Sequence, residues 1–128
     1  MTDIPEKWKR PHEAHAFDQM MRNALGDQGL CAFDTFVRAL GTYQTYCAYL
    51  FLAIVSNETG LERIWRQLND HIAAEVQSQM ESLLERSNFY LCLFVSEEVS
   101  EECIQRIESD TYCAKKYVFP NFSGIYPE

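Results

Sequence analysis

The stretch 88–120, NFYLCLFVSEEVSEECIQRIESDTYCAKKYVFP, constrains the fold more than any other part of the chain. Phe89–Val95 is an apolar run rich in aromatic and β-branched residues, long enough for one buried strand. A polar turn follows, and then the start signals of a short helix. Ser100 can cap the free amides of the first turn, Val99 and Ile104 stand at the two positions of a hydrophobic staple, and Glu101 and Glu102 suit the positive end of the helix dipole. Cys103, Ile104 and Ile107 share one face of that helix. Past Thr111 the chain turns basic at Lys115 and Lys116, then runs through Tyr117, Val118 and Phe119 as a second short strand that Pro120 stops. The unit reads strand–helix–strand, with its two strands expected side by side in one sheet.

The preceding sequence extends this pattern. Residues 48–55 are apolar throughout, which suits a strand buried on both faces, with a buried helix as the competing reading. Thr59-Gly60-Leu61-Glu62 has the form of a capping box. After it, Leu61, Ile64, Trp65, Leu68, Ile72, Val76, Met80, Leu83 and Leu84 step by three or four with no Gly or Pro between them, predicting an amphipathic helix. At 1.5 Å per residue it would run about 36–39 Å, longer than the sheet of a small domain needs. It would then either dock another subunit or lie diagonally across its own sheet. Earlier still, Ala14, Phe17, Met20, Met21, Ala24 and Leu25 predict a helix over 12–25, started by Pro11 and stopped by Gly26. The segment 30–40 fits one helix face through Leu30, Phe33, Phe36, Val37 and Leu40, and its composition equally fits a strand.

Alternating strands and helices give an α/β (or α+β) fold, with a sheet of three to four strands packed by the long helix and shorter ones. Residues 1–11 read as a loose arm in which Trp8 is the one candidate anchor, 12–120 as a single domain, and 121–128 as an exposed C-terminal tail. A chain of 128 residues can bury roughly 65–70% of its unfolded surface.

Composition excludes more than it identifies. A net charge of −8 argues against a nucleic-acid binder acting alone, because phosphate contacts need a basic footprint. The five cysteines (Cys31, Cys47, Cys92, Cys103, Cys113) include no C-x-x-C pair, and most lie in apolar runs, as free thiols do in a reducing cytoplasm. No apolar run is long enough to span a membrane.

Chemistry-bearing patterns are sparse. Neither a G-x-x-x-x-G-K-S/T nor a G-x-G-x-x-G loop is written here, and no G-x-S-x-G elbow or zinc-spaced Cys/His set occurs. His12-Glu13-x-His15 lacks the four-residue step that would put both rings on one helix face. His71 and Glu75 do stand four apart, which reads first as a surface pair and second as half of a metal site. Lys115 and Lys116 could lower the thiol pKa of Cys113, yet its place at a helix–strand junction suits a structural role. Asp110 with Lys115 or Lys116 lacks the second acidic ligand of a metal-dependent nuclease, so Asp110 is expected to cap or salt-bridge at the junction, with Arg106 as a candidate partner. No cofactor and no metal is expected, and the chain does not read as an enzyme.

The run Tyr90-Leu91-Cys92-Leu93-Phe94-Val95, with the acidic helix ending Arg106-Ile107-Glu108-Ser109-Asp110-Thr111-Tyr112-Cys113-Ala114-Lys115-Lys116, resembles the middle component of bacterial ABC-three-component defence systems, Lamassu-like ones among them. Asp110, Cys113 and Lys116 match the family's pattern, and Lys115 stands where Arg is commoner. The resemblance implies a non-enzymatic adaptor between an SMC-like ABC ATPase and an effector, often a nuclease. The surfaces such an adaptor would use are the outer side of the long helix (Arg63, Arg66, Glu75, Glu81, Glu85) and the junction (Arg106, Asp110, Lys115, Lys116). The competing functions are a small homodimeric regulator and a thiol- or metal-dependent enzyme centred on Cys113 or His71.

Overall fold

The computed structural model describes residues 14–40, 46–79 and 88–123. Its elements are α1 (Ala14–Leu25), β1 (Leu30–Leu40), β2 (Tyr46–Val55), α2 (Glu58–Glu75), β3 (Phe89–Val95), α3 (Glu101–Glu108) and β4 (Lys115–Phe119), with 3-10 turns at Gly26–Gln28 and Gln77–Gln79. The strands form one four-stranded sheet in the order β1-β2-β3-β4. β1 and β2 are antiparallel, while β2, β3 and β4 run parallel to one another. The fold is therefore α/β with a mixed sheet. The hairpin turn falls at 41–45, outside the described residues.

The β-strand alternation divides the sheet into two unequal faces. Phe33, Phe51, Ala53, Val55, Phe89, Leu91, Leu93, Val95 and Val118 point to one side, where they pack with Met21 and Leu25 of α1, Leu61, Ile64, Leu68 and Ile72 of α2, and Cys103 and Ile107 of α3. All three described helices thus cover the same face. Both parallel crossovers, β2–α2–β3 and β3–α3–β4, place their helix there, as connections of one hand must when consecutive strands are added in one direction. Each fully buried Leu or Phe of this core contributes about 1.5–3 kcal/mol. An aromatic row crosses the strands: Phe33 stacks on Phe51 at 6.2 Å, and Phe51 meets Phe89 at 5.7 Å. The opposite face carries a smaller cluster of Phe36, Leu52 and Phe94.

The ambiguous segment 30–40 is a strand. Its helical spacing of apolar residues gave no decision, but as a strand it pairs along nearly its whole length with the apolar run of β2. It then contributes Phe33 to one face and Phe36 to the other, so both rings are buried. The apolar run 48–55 is a central strand, as its burial on both faces requires.

Two expectations need correction. The helix after β2 is capped by Asn57, whose side chain accepts from the Gly60 amide at 2.9 Å, so Thr59 lies inside the helix instead of capping it. The helix is shorter than its apolar spacing suggested, and Met80, Leu83 and Leu84 lie outside the described residues. It ends at Glu75 with Val76 as its C-cap, followed by the Gln77–Gln79 3-10 turn, and so spans about 27 Å. Its apolar stripe Leu61, Ile64, Trp65, Leu68 and Ile72 is consumed by the chain's own core. Gly26 ends α1 as expected and opens a 3-10 turn, and the left-handed residue of this connection is Gly29 at φ 117°. A Cβ on Gly29 would come within 3.1 Å of the Gly60 Cα, so this glycine also permits the start of β1 to touch the first turn of α2.

Candidate functional site

The strand–helix–strand unit folds as its local signals dictate. Ser100 caps α3 by accepting from the Cys103 amide at 3.4 Å, Val99 is buried, and Ile104 packs against the same core. The tertiary structure adds a polar seam joining this unit to α2. Glu58, Glu62, Arg66 and Asn69 recur at the three- and four-residue steps that line one side of a helix, immediately beside its apolar stripe.

Each residue of that seam meets α3 or the loop behind it. Glu58 accepts from the Ser100 amide at 2.7 Å and from its hydroxyl at 2.9 Å. Those two bonds hold the Glu58 carboxyl below its ordinary range, with the charge of Arg106 adding to them against a smaller opposing effect of burial. One turn on, Glu62 accepts from the Cys103 thiol at 3.0 Å and from the Arg106 guanidinium. Arg66 lies close enough for its charge to favour the ionised form of Asp110. Buried Asn69 donates to the Tyr112 carbonyl at 2.7 Å and accepts from the Ala114 amide at 3.3 Å.

The loop between α3 and β4 is held equally firmly from its other side. Lys116 is 2% exposed, and its ammonium donates to Asp110 Oδ1, to the Tyr112 carbonyl and to the Ala114 carbonyl, each at 2.7 Å, with the Asp110 carbonyl at 3.3 Å. Asp110 also accepts from the Tyr112 amide at 3.0 Å. The Lys116 hydrogen bond is the main reason why the Asp110 carboxyl sits below its ordinary range. Cys113 takes a positive φ of 63° inside this loop and packs half-buried against the core. Among described aromatic side chains Tyr112 is the most exposed, at 60%, although its backbone is bonded at both ends.

Arg63, Arg66 and Glu75 are exposed on α2, as are Arg106 on α3 and Lys115 on β4, where the Lys115 ammonium sits 5.6 Å from the Tyr90 ring centroid. Glu81 and Glu85 lie outside the described residues, as do Trp8, His12 and Glu13. Lys116 is interior, so it cannot present its charge to another molecule. Asp110 pairs with Lys116, while Arg106 pairs with Glu62, which corrects the Asp110–Arg106 pairing expected from sequence.

Sequence reasoning missed Glu58, Glu62, Asn69 and Tyr112. A polar line flanking the apolar line of α2 was legible, but not what it would meet. The side Lys116 faces was also readable in principle: it shares strand parity with the apolar Val118, whereas Lys115 shares it with Tyr117. The C-terminal segment begins by turning back: the Asn121 amide donates to the Glu97 carbonyl at 3.1 Å, the Phe122 amide donates to the Val95 carbonyl at 2.8 Å, and the Phe122 ring lies 4.9 Å from that of Phe94.

The seam borders an open cleft of about 590 Å³ lined by Glu58, Thr59, Glu62, Ser100, Glu102, Cys103 and Arg106. Its one thiol, Cys103, is buried, and burial together with the nearby Glu58 charge pushes its pKa up. A protonated thiol donating to a carboxylate is a structural contact and a poor nucleophile. Among the described residues no group of three or more His, Cys, Asp or Glu side chains is arranged to hold a metal ion. Nor is any described helix long and apolar enough to cross a membrane.

No curated protein and no solved structure matches the chain. The model of one family does match, over residues 48–125, a span running from β2 through the seam and the Asp110–Lys116 loop to just beyond Phe122. This is the larger part of the chain, and it contains both parallel crossovers. The protein accordingly belongs to the family of the ABC-three component (ABC-3C) system Middle Component 1.

Proposed function

We propose that this middle component is a non-enzymatic adaptor that links an SMC-like ABC ATPase to a nuclease-type effector in a bacterial, cytoplasmic defence complex against phage or plasmid DNA, of the Lamassu-like kind. The observation that carries this reading is family membership over 48–125. The site geometry supports it. The hydrogen-bonded side chains of the seam and loop stiffen the packing of α3 and β4 against α2, and the cleft thiol is held in its unreactive form.

The docking surfaces are the outer side of α2, through Arg63, Arg66 and Glu75, and the junction, through Arg106, Asp110 and Lys115 with Tyr112 beside them. Glu81 and Glu85 complete the set further along the chain. The role of Lys116 is internal, holding Asp110 and Tyr112 in place. A rigid exposed aromatic next to arginine is the side-chain mixture that dominates protein interfaces, and a preorganised loop lowers the ordering cost of docking.

A tagged copy expressed from its native operon tests the proposal by mass spectrometry of what co-purifies. Recovery of an SMC-like ATPase and an effector in fixed ratio is the expected result. The bare protein eluting alone would refute the adaptor role. With partners recovered, the pair Arg63→Glu and Arg66→Glu should lower their yield without changing the circular dichroism of the isolated chain.

A further inference from the structure

Among the described residues the sheet ends in two strands, β1 and β4, with no further strand beside either. The two edges are finished differently. On β1, helix α1 supplies the missing partners from the interior: Arg22 donates to the Phe33 carbonyl at 3.0 Å, and Asp18 accepts from the Thr35 amide at 3.2 Å and its hydroxyl at 2.6 Å. Asp18 is 0% exposed and Thr35 is 3% exposed, so this part of the edge is sealed.

On β4 a single carboxylate does the corresponding job. Glu108 Oε2 accepts from the Val118 amide at 2.8 Å, the place where the carbonyl of a fifth strand would sit. Glu108 itself is exposed. The rest of this edge is short: β4 has five residues, and Pro120 beyond it has no amide hydrogen. Tyr117 on the outward-facing side is 43% exposed.

We infer that Glu108 is an edge guard, whose side chain occupies the hydrogen-bonding edge of β4 and keeps the chain from pairing strand to strand with a second copy of itself. A second copy is the occupant at issue because β4 is self-complementary about a two-fold axis, in the antiparallel sense, and would bring the two Tyr117 side chains onto one face. Since α1 seals the middle of β1, head-to-tail pairing of β1 with β4 is blocked, and β4 with β4 is the closed arrangement that remains.

Sedimentation velocity over a concentration series on the wild type, Glu108→Ala and Glu108→Gln tests this. The Ala variant should form a concentration-dependent dimer that the wild type does not form at the same concentration. The Gln variant, whose amide oxygen can still accept from Val118, should behave as the wild type. In Glu108→Ala the Val118 amide should exchange faster than wild type when dilute and become protected as the dimer forms. The inference is overturned if folded Glu108→Ala keeps the wild-type mass throughout, if Ala and Gln variants dimerise alike, if the wild type already dimerises as strongly, or if Glu108→Ala loses its folded circular dichroism.

Discussion

The ammonium of Lys116 lies 2.7 Å from Oδ1 of Asp110, with its side chain 0% exposed and that of Asp110 31% exposed. A charge fully withdrawn from water is thus matched by one still in contact with it, and the remaining donors of the ammonium go to the Tyr112 and Ala114 carbonyls. Two residues of the family-like string therefore act on each other, fixing the loop between α3 and β4.

Lys116→Met keeps most of the side-chain volume but removes the donor to a carboxylate and to three carbonyls. It should destabilise the fold by about 2–4 kcal/mol, since the groups left behind are partly or wholly withdrawn from water. Urea unfolding followed by far-UV circular dichroism measures this. A change under about 0.5 kcal/mol would mean that the loop relaxes to hydrate those oxygens.

Asn69→Ala removes both side-chain bonds from α2 to the loop. The expected loss is about 1–3 kcal/mol, with the Ala114 amide becoming the first of its neighbours to exchange with deuterium. Asn69→Asp should not rescue it, because a carboxylate can accept from Ala114 but cannot donate to the Tyr112 carbonyl.

The carboxyls of Glu58 and Asp110 are both held below their ordinary values of 4.5 and 3.8. At pH values between the lowered and the ordinary value the unfolded chain binds more protons, so stability there rises with pH. Their contribution is complete above about pH 5 and is lost as pH falls through the lowered values. Glu58→Gln and Asp110→Asn should each flatten the acid limb of a plot of unfolding free energy against pH. An unchanged slope in both would show that the seam carries no linked protons.

Thiol labelling should be uneven. Cys31 is exposed, whereas burial pushes the Cys92 thiol up to about 12 and raises that of Cys103 as well. Iodoacetamide at pH 7.5, read by peptide mass spectrometry, should modify Cys31 readily and leave Cys92 and Cys103 unmodified until urea unfolds the chain. Rapid labelling of Cys103 in the folded protein would reopen a nucleophilic role for the cleft.

How much of this was written locally can be judged element by element. The strand–helix–strand unit was legible because its signals act over a few residues: an apolar strand run, the Ser100 cap with its Val99–Ile104 staple, and Pro120 after β4. The amphipathic face of α2 was legible for the same reason. Its end was not, because apolar residues continue at helical spacing past Val76 and spacing alone carries no stop signal. The segment 30–40 fitted both periods, and only pairing with β2 decided it.

By itself, then, the sequence determined the apolar runs that become β2 and β3, the start of α3 at Ser100, and the strand–helix–strand order of the stretch that resembles its family. The tertiary structure alone decided the antiparallel pairing of β1, which helix residues meet the Asp110–Lys116 loop, and that Lys116 turns inward while Lys115 turns out. The physical reason is range. Caps, staples and periodicity act within a turn or two, whereas the Asn69–Tyr112 and Glu58–Ser100 contacts join residues more than forty positions apart, and no local pattern specifies them.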